Sequence, residues 1–184
     1  VICFSLTYGS TKKMLKDKCE RSGATLRIVE LPLPVSDSAS VVQALQNALS
    51  DKTRMVIIDH VTSNTAMVLP VLEMAKAARA AGALVIVDAA HAMLSQPVSI
   101  YPIAARPNSA SNAGTTSELC IAEVADVWLT NGHKWLSAPK GCAFMWVHPA
   151  AAPHLRPAVV SHGFQSYLGD GSSSTESTGD ALQY

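Results

Sequence analysis

Short apolar segments alternate with amphipathic segments of about a dozen residues through the first half of this chain. The apolar segments are predicted as strands: Val1–Ser5, Thr25–Leu31, Arg54–Ile58 and Ala83–Val87. The segments between them are predicted as helices: Ser10–Arg21, Ser38–Leu49 and Pro70–Ala81. Strands that are apolar on both faces are typical of a parallel sheet that helices cover on both sides. The pattern therefore predicts an α/β fold of three layers, with a mostly parallel sheet and helices on both faces.

Cap residues mark the predicted ends of two helices. Gly23 stands where the first helix needs a residue that tolerates a left-handed conformation. Ser38 or Ser40 is the predicted N-cap of the second helix, because a serine hydroxyl can accept a hydrogen bond from a free backbone N–H.

The second half of the chain lacks the regular alternation of apolar and amphipathic segments seen in the first half. Asp126–Thr130 and Cys142–Val147 are predicted as further strands. Residues 106–117 are rich in Ser, Asn, Ala, Gly and Thr without periodicity, which predicts a flexible surface insertion. We therefore expect one domain over residues 1–150 and an irregular tail over 151–184.

Charge and cysteine content exclude several classes of protein. The chain has 14 Lys and Arg and 14 Asp and Glu, so its formal net charge is +0, and no basic stripe predicts binding to nucleic acid. No apolar run approaches the roughly 18 residues of a membrane-spanning helix, so no membrane association is expected.

The four cysteines are widely spaced and form no CxxC pair, which favours reduced thiols and a cytoplasmic protein. The chain begins at Val1 in an apolar run, as a piece of a longer protein would, so an organellar signal could have preceded it.

Polar residues follow two of the predicted strands, where ligands of open parallel sheets bind. His60–Asn64 follow one strand, and Asp88 and His91 follow the next. A carboxylate at the end of an apolar strand costs several kcal/mol if it is buried without a partner. Asp88 is therefore either a capping residue or the partner of a ligand cation such as a protonated ring nitrogen.

Lys134 lies in the segment Asn131–Trp135, directly after a predicted strand. Most lysines are solvated, and that interpretation stays open here. A lysine that is desolvated beside an aromatic residue has a lowered pKa and is a nucleophilic amine.

Three segments together resemble the class-V aminotransferase family of fold-type-I pyridoxal-phosphate enzymes: Ile57–Val71, Val85–Ala92 and Asn131–Val147. The resemblance is to the branch that contains isopenicillin N epimerase-like and cysteine desulfurase-like enzymes, and it covers about Val1 to Val147. It implies an incomplete large domain that binds pyridoxal 5'-phosphate and no metal.

The resemblance also implies roles for the two residues that carry the chemistry. Lys134 forms the Schiff base with the cofactor aldehyde. Asp88 holds the proton on the pyridinium nitrogen, which makes the ring an electron sink.

Four further residues are implied to bind the cofactor. His91 contacts the ring hydroxyl, and His133 reaches the phosphate with Asn131 as a second donor. Ser63 contacts the ring hydroxyl or the substrate, with Asn64 as the alternative occupant of that position.

The implied substrate is an amino acid or a sulfur-containing amine, and the implied reaction is that of an epimerase, lyase, desulfurase or aminotransferase. The resemblance further implies a homodimer in the full-length protein. It also implies that an upstream phosphate-binding turn with a ring-stacking residue, and a downstream small domain, lie outside this chain. The alternative hypothesis is a truncated, catalytically silent fragment that acts only as a cofactor-binding or interaction module.

Overall fold

Strands and helices alternate along the part of the chain that the structure describes, which comprises residues 1–31, 33–100 and 119–159 of a computed structural model. The strands are β1 (Ile2–Phe4), β2 (Arg27–Val29), β3 (Met55–Asp59), β4 (Leu84–Asp88), β5 (Val98–Ser99), β6 (Leu119–Cys120), β7 (Val127–Asn131) and β8 (Ala143–Val147). The helices are α1 (Gly9–Ser22), α2 (Ser38–Ala48), α3 (Val71–Ala80) and α4 (Ile121–Val124).

Six of the strands form one sheet in the order β2-β1-β3-β4-β7-β8. Every neighbouring pair is parallel except β7 and β8, which are antiparallel. β3 and β4 pair in register, so Asp59 lies beside Asp88 where both strands end. Leu129 of β7 is the partner of Asp88 on its other side. The predicted mostly parallel sheet is confirmed.

Helices cover both faces of this sheet. Ile2 and Phe4 of β1 join a buried cluster that includes apolar residues of α2, α3 and α4. Cys3, which lies between them, joins a second cluster with Leu15 of α1 and Ile57 of β3. Because successive side chains of a strand point to opposite faces, the two clusters lie on opposite sides of the sheet. The predicted three-layer arrangement is confirmed.

The helix ends confirm one predicted cap and correct another. Gly23 follows α1 with φ of 70°, the left-handed conformation that the sequence predicts there. α2 is capped by Asp37, whose carboxylate accepts a hydrogen bond from the Ser40 backbone N–H at 2.7 Å. The prediction of Ser38 or Ser40 as the N-cap is therefore wrong, because both serines already lie inside the first turn of the helix.

A small second sheet was not predicted from the sequence. In it β5 pairs with β6 in parallel, and the short helix α4 follows directly. Each of these strands is two residues long, so hydrophobic periodicity cannot reveal them.

The chain divides into two compact units, Val1–His148 and Pro149–Tyr184. In the described part of the second unit, Ala152–His154 form a 3-10 turn. The predicted insertion at 106–117 and most of the predicted tail at 151–184 lie outside the described residues. Within the described ranges, no helix combines the length and the apolar character that crossing a membrane requires.

Gly132, directly after β7, leaves no room for a side chain. A Cβ atom built there would lie 2.8 Å from the Cys142 Sγ and 3.5 Å from the Ala138 Cβ. We expect Gly132→Ala to lower the free energy of unfolding by about 1–3 kcal/mol, the usual cost of overpacking. Urea unfolding measures this loss. Cys142→Ala in the same chain should restore most of it, because the closest contact is removed.

Gly9 is the matched control for this substitution. It lies in α1 with nothing within 4 Å of an added Cβ atom. Gly9→Ala should leave stability unchanged or raise it slightly, since alanine is the better helix former. Equal losses from both substitutions would contradict the steric explanation.

Candidate active site

The carboxyl ends of β1, β3, β4 and β7 meet at one edge of the sheet and enclose a cavity of about 380 Å³. The polar residues that line it come from segments far apart in the sequence. They are Tyr8, Ser10, Thr11, Asp59, Ser63, Asp88, His91, Asn131 and Lys134. This is the position in which open parallel sheets bind their ligands.

Five of the six site residues expected from the sequence line this cavity. They are Ser63, Asp88, His91, Asn131 and Lys134. The sixth, His133, is not among the lining residues, and its Nδ1–H donates to the Cys142 carbonyl oxygen at 3.2 Å. Ser63 lines the cavity, whereas Asn64, the alternative occupant of that position, does not.

The Asp88 carboxylate lies at the end of β4 with one oxygen bound and one oxygen available. The Ala90 backbone N–H donates to Oδ1 at 3.0 Å, as in a turn that a carboxylate caps. Oδ2 accepts no hydrogen bond from the described part of the chain. Both roles that the sequence left open for Asp88 are therefore compatible, since one oxygen caps the turn and the other can meet a cation.

The Lys134 amine lies 3.2 Å from Nε2 of His91. Burial, together with the positive charge of Lys134, holds the pKa of His91 below its ordinary value of 6.5, although Asp88 acts in the opposite direction. The imidazole is therefore neutral at pH 7, and Nε2 accepts the hydrogen bond that the Lys134 ammonium donates. The same Nζ lies 5.9 Å from the centre of the Tyr8 ring, a cation–π distance.

Asp59 is a second carboxylate at the cavity, and it is buried with 4% of its surface exposed. Its Oδ2 accepts a hydrogen bond from the Thr7 hydroxyl at 2.6 Å, and its Oδ1 accepts one from the Tyr8 backbone N–H at 3.4 Å. Burial raises the pKa of Asp59 to about 6, the bond from Thr7 opposes that shift, and the charge of Asp88 adds to it. A carboxylate held in this way is ionised at neutral pH.

Sequence reasoning missed Tyr8 and Asp59. Both residues also lie beyond the end of a strand: Tyr8 stands between β1 and α1, and Asp59 is the last residue of β3. The predicted strand ends at Ile58 and the predicted polar cluster begins at His60, so the sequence analysis assigns no role to Asp59. The resemblance implies a ring-stacking residue outside this chain, and it gives no sign of the aromatic ring that Tyr8 brings to the cavity.

Comparisons with known proteins agree with the architecture. The family model described as aminotransferase class-V matches residues 5–105. Isopenicillin N epimerase from Streptomyces clavuligerus is 32% identical over 153 residues, which are 82% of this chain and 33% of that protein. Putative L-cysteine desulfhydrase 1 from Oryza sativa subsp. japonica is 30% identical over 177 residues, 91% of this chain and 33% of that protein. The chain spans about a third of the length of the curated relatives it matches.

A solved structure of a C-DES mutant, with glycine covalently linked to its PLP cofactor, has the same fold. The TM-score is 0.66 at 22% sequence identity, over 86% of this chain and 37% of that chain. At this identity the likeness concerns the arrangement of the sheet and its helices.

Two buried neighbours, Asp59 and His60, should respond to pH in opposite directions. The pKa of Asp59 is raised from 3.8 to about 6, so its contribution to stability is lost as pH rises through that window. Burial lowers the pKa of His60 from 6.5 to about 4, so its contribution is lost as pH falls through that window. Each shift corresponds to about 3 kcal/mol, and the two slopes offset each other in the parent protein.

Asp59→Asn should therefore make stability rise more steeply between pH 4.5 and 6.5 than it does in the parent. His60→Gln should make it fall over the same range. Urea unfolding at these two pH values measures the slopes, and the other titrating groups cancel in each difference from the parent. Parallel pH profiles for all three proteins would show that these pKa shifts are absent.

Proposed function

Because this chain belongs to the aminotransferase class-V family, whose model matches residues 5–105, we propose that the protein is an enzyme that uses pyridoxal phosphate to act on an amino acid or a sulfur-containing amine. One observation carries the proposal. Asp88, at the end of β4, and Lys134, in the segment after β7, line one cavity at the edge where parallel sheets bind ligands. A fragment that acted only as an interaction module, one form of the alternative hypothesis, would not need a carboxylate and an amine at one cavity.

The residues at the cavity fit pyridoxal phosphate. Its pyridinium needs an anion, and Asp88 has a carboxylate oxygen that accepts no hydrogen bond from the described residues. Its aldehyde needs an amine, and Lys134 offers one beside the uncharged ring of His91. Its flat ring needs an apolar or aromatic wall, to which Tyr8 and Val61 contribute.

When bound, pyridoxal phosphate supplies an electron-withdrawing ring that stabilises negative charge at the α-carbon of an attached amino acid. Asp88 would keep the proton on the ring nitrogen through a charge-assisted hydrogen bond. His91 and Ser63 would bind the ring hydroxyl, and Asn131 would donate toward the phosphate. His133 is also proposed to reach the phosphate, through Nε2, since its Nδ1 is bonded to the Cys142 carbonyl oxygen.

Lys134 is proposed to act twice, first as the covalent attachment point and then as the group that moves a proton. With pyridoxal phosphate bound, the Lys134 Nζ would lie where it could take the proton from the substrate α-carbon as a general base. The hydrogen bond to Nε2 of His91 orients the amine, because a neutral imidazole accepts from it without adding positive charge.

The proposed reaction class is one that begins with loss of a bond at the α-carbon. Epimerases, lyases, desulfurases and aminotransferases all share this first step, and the relatives are named as an epimerase and a desulfhydrase. The residues of the described cavity serve that step whichever bond breaks afterwards.

We also propose that the full-length protein is a homodimer. Large apolar side chains are exposed on β8 and on the segment that joins it to β7: Trp135, Leu136, Phe144 and Met145. Exposed apolar side chains this close together favour burial against a second surface.

A cytoplasmic location is proposed on the basis of the thiols. Cys3, Cys19 and Cys120 are buried free cysteines, and Cys142 is an exposed one. Free thiols persist in a reducing compartment.

Lys134 should be the residue that reduction with borohydride labels after the protein is incubated with pyridoxal phosphate. Peptide mapping should find the pyridoxyl group there, and Lys134→Ala should lose the label together with at least about 1,000-fold in turnover, since the attachment point and the base are both removed. Lys140→Ala is the matched control, because Lys140 belongs to the same segment but does not line the cavity. A label that follows Lys140 would overturn the assignment.

Asp88→Asn should keep the fold and lower turnover by about 100-fold or more, because a neutral amide cannot hold the proton on the ring. Steady-state kinetics with an amino-acid substrate measures the loss. Asp17→Asn makes the same chemical change at an exposed residue that pairs with Arg21, and it should leave turnover unchanged. Full activity in Asp88→Asn would mean that Asp88 only caps the turn at Ala90.

A further inference from the structure

Tyr8 contributes an aromatic ring to the cavity from a position that gives its side chain little support. The residue directly precedes α1, and 49% of its surface is exposed. Its ring centre nevertheless lies 5.9 Å from the Lys134 amine. The position of the ring must therefore come from the backbone around it.

The Thr7 hydroxyl ties that backbone to the sheet. Thr7 is buried, with 2% of its surface exposed. Its Oγ1 accepts a hydrogen bond from the backbone N–H of Phe4, a fully buried residue at the end of β1. The same hydroxyl donates to Asp59 Oδ2 at 2.6 Å. One side chain thus connects the ends of two neighbouring strands.

Asp59 completes the connection to Tyr8. Its second oxygen, Oδ1, accepts from the Tyr8 backbone N–H at 3.4 Å. Bonds to an ionised acceptor are stronger than those between neutral groups, and the pKa of about 6 leaves Asp59 ionised at neutral pH. A buried carboxylate is costly without donors, and the segment that precedes α1 supplies two of them.

We propose that Asp59 is a positioning residue, which holds the Thr7–Tyr8 backbone and thereby fixes the Tyr8 ring as the wall of the cofactor site beside Lys134. The inference rests on the proposed function, since pyridoxal phosphate is the ligand that the wall contacts. Asp59 itself touches neither Lys134 nor the reacting atoms in this account, and it acts through Tyr8.

A double-mutant cycle in the full-length protein tests the inference. Thr7→Val removes the hydroxyl while keeping the volume of the side chain, and Tyr8→Leu removes the ring. Thr7→Val alone should raise the dissociation constant for pyridoxal phosphate about tenfold, the effect of a lost hydrogen bond to a charged group. In the Tyr8→Leu background the same substitution should change this dissociation constant less than about twofold. The reason is that Thr7 affects cofactor binding through the Tyr8 ring, which is already absent.

One spectroscopic and one hydrogen-exchange measurement distinguish a positioning role of Asp59 from a general effect on stability. The visible circular dichroism of the bound cofactor should fall by about half in Thr7→Val, since its sign and size depend on the asymmetric wall around the ring. Amide hydrogen exchange in a peptide covering residues 5–11 of the cofactor-free protein should become about tenfold faster. Thr7→Ser keeps the hydroxyl and should restore both values.

Thr53→Val is the matched control. Thr53 is also buried, and its hydroxyl accepts from the Ser50 backbone N–H at 3.1 Å, but it lies before β3 and away from the cavity. It should lower stability without changing the cofactor dichroism. If Thr7→Val does not fold, Asp59→Asn replaces it in the cycle, because its amide cannot accept from both donors.

The outcomes distinguish this inference from the proposed function. A parent protein that binds no pyridoxal phosphate contradicts the proposed function, and the exchange measurement still decides whether the Thr7 hydroxyl holds the backbone of Tyr8. A parent that binds the cofactor, with Thr7→Val equal to it in affinity and dichroism, overturns the role of Asp59 alone. An equal loss of dichroism in Thr53→Val overturns it as well.

Discussion

The in-register parallel pairing of β3 with β4 is the constraint on which the site depends. It puts Asp59 and Asp88 side by side at one edge of the sheet. Two neighbouring carboxylates repel each other when both are ionised. The fold keeps them adjacent but gives each a different environment. Asp59 is buried and takes donors from Thr7 and Tyr8, whereas Asp88 keeps one oxygen available at the cavity. A slip of β4 by one residue against β3 would turn Asp88 to the face opposite Asp59 and remove the site.

The positive charge that faces these two carboxylates at the cavity comes from Lys134. Lys134 brings an ammonium from the segment after β7, and burial keeps the neighbouring His91 uncharged. A neutral imidazole can orient an amine without repelling it, and the Tyr8 ring presents its negative face to the same cation. The arrangement therefore leaves the Lys134 amine held from two sides, which is what a group that must both bond and move a proton requires.

Much of the site could be predicted because it obeys one architectural rule. Polar residues after apolar strands line the cavity in five of six cases, and His133 differs because its ring faces the Cys142 carbonyl oxygen instead. Asp59 was missed because one carboxylate at the end of an apolar strand gives no sign of its partners. Its donor, the Thr7 hydroxyl, is 52 residues away in the sequence. Asp37 was missed as a helix cap for a smaller reason, since three neighbouring polar residues could each have filled that position.

The sequence by itself determined the α/β class, the strands and three long helices of the main sheet, and the edge at which a ligand would bind. These depend on local periodicity and on a rule that holds for open parallel sheets. Only the tertiary structure decided the strand order, the antiparallel pairing of β8 with β7 and the contacts that unite the site. Lys134 meets His91 and Thr7 meets Asp59 because β1, β3, β4 and β7 are neighbours in space. That adjacency results from packing two helical layers on one sheet, and no local pattern of residues encodes it.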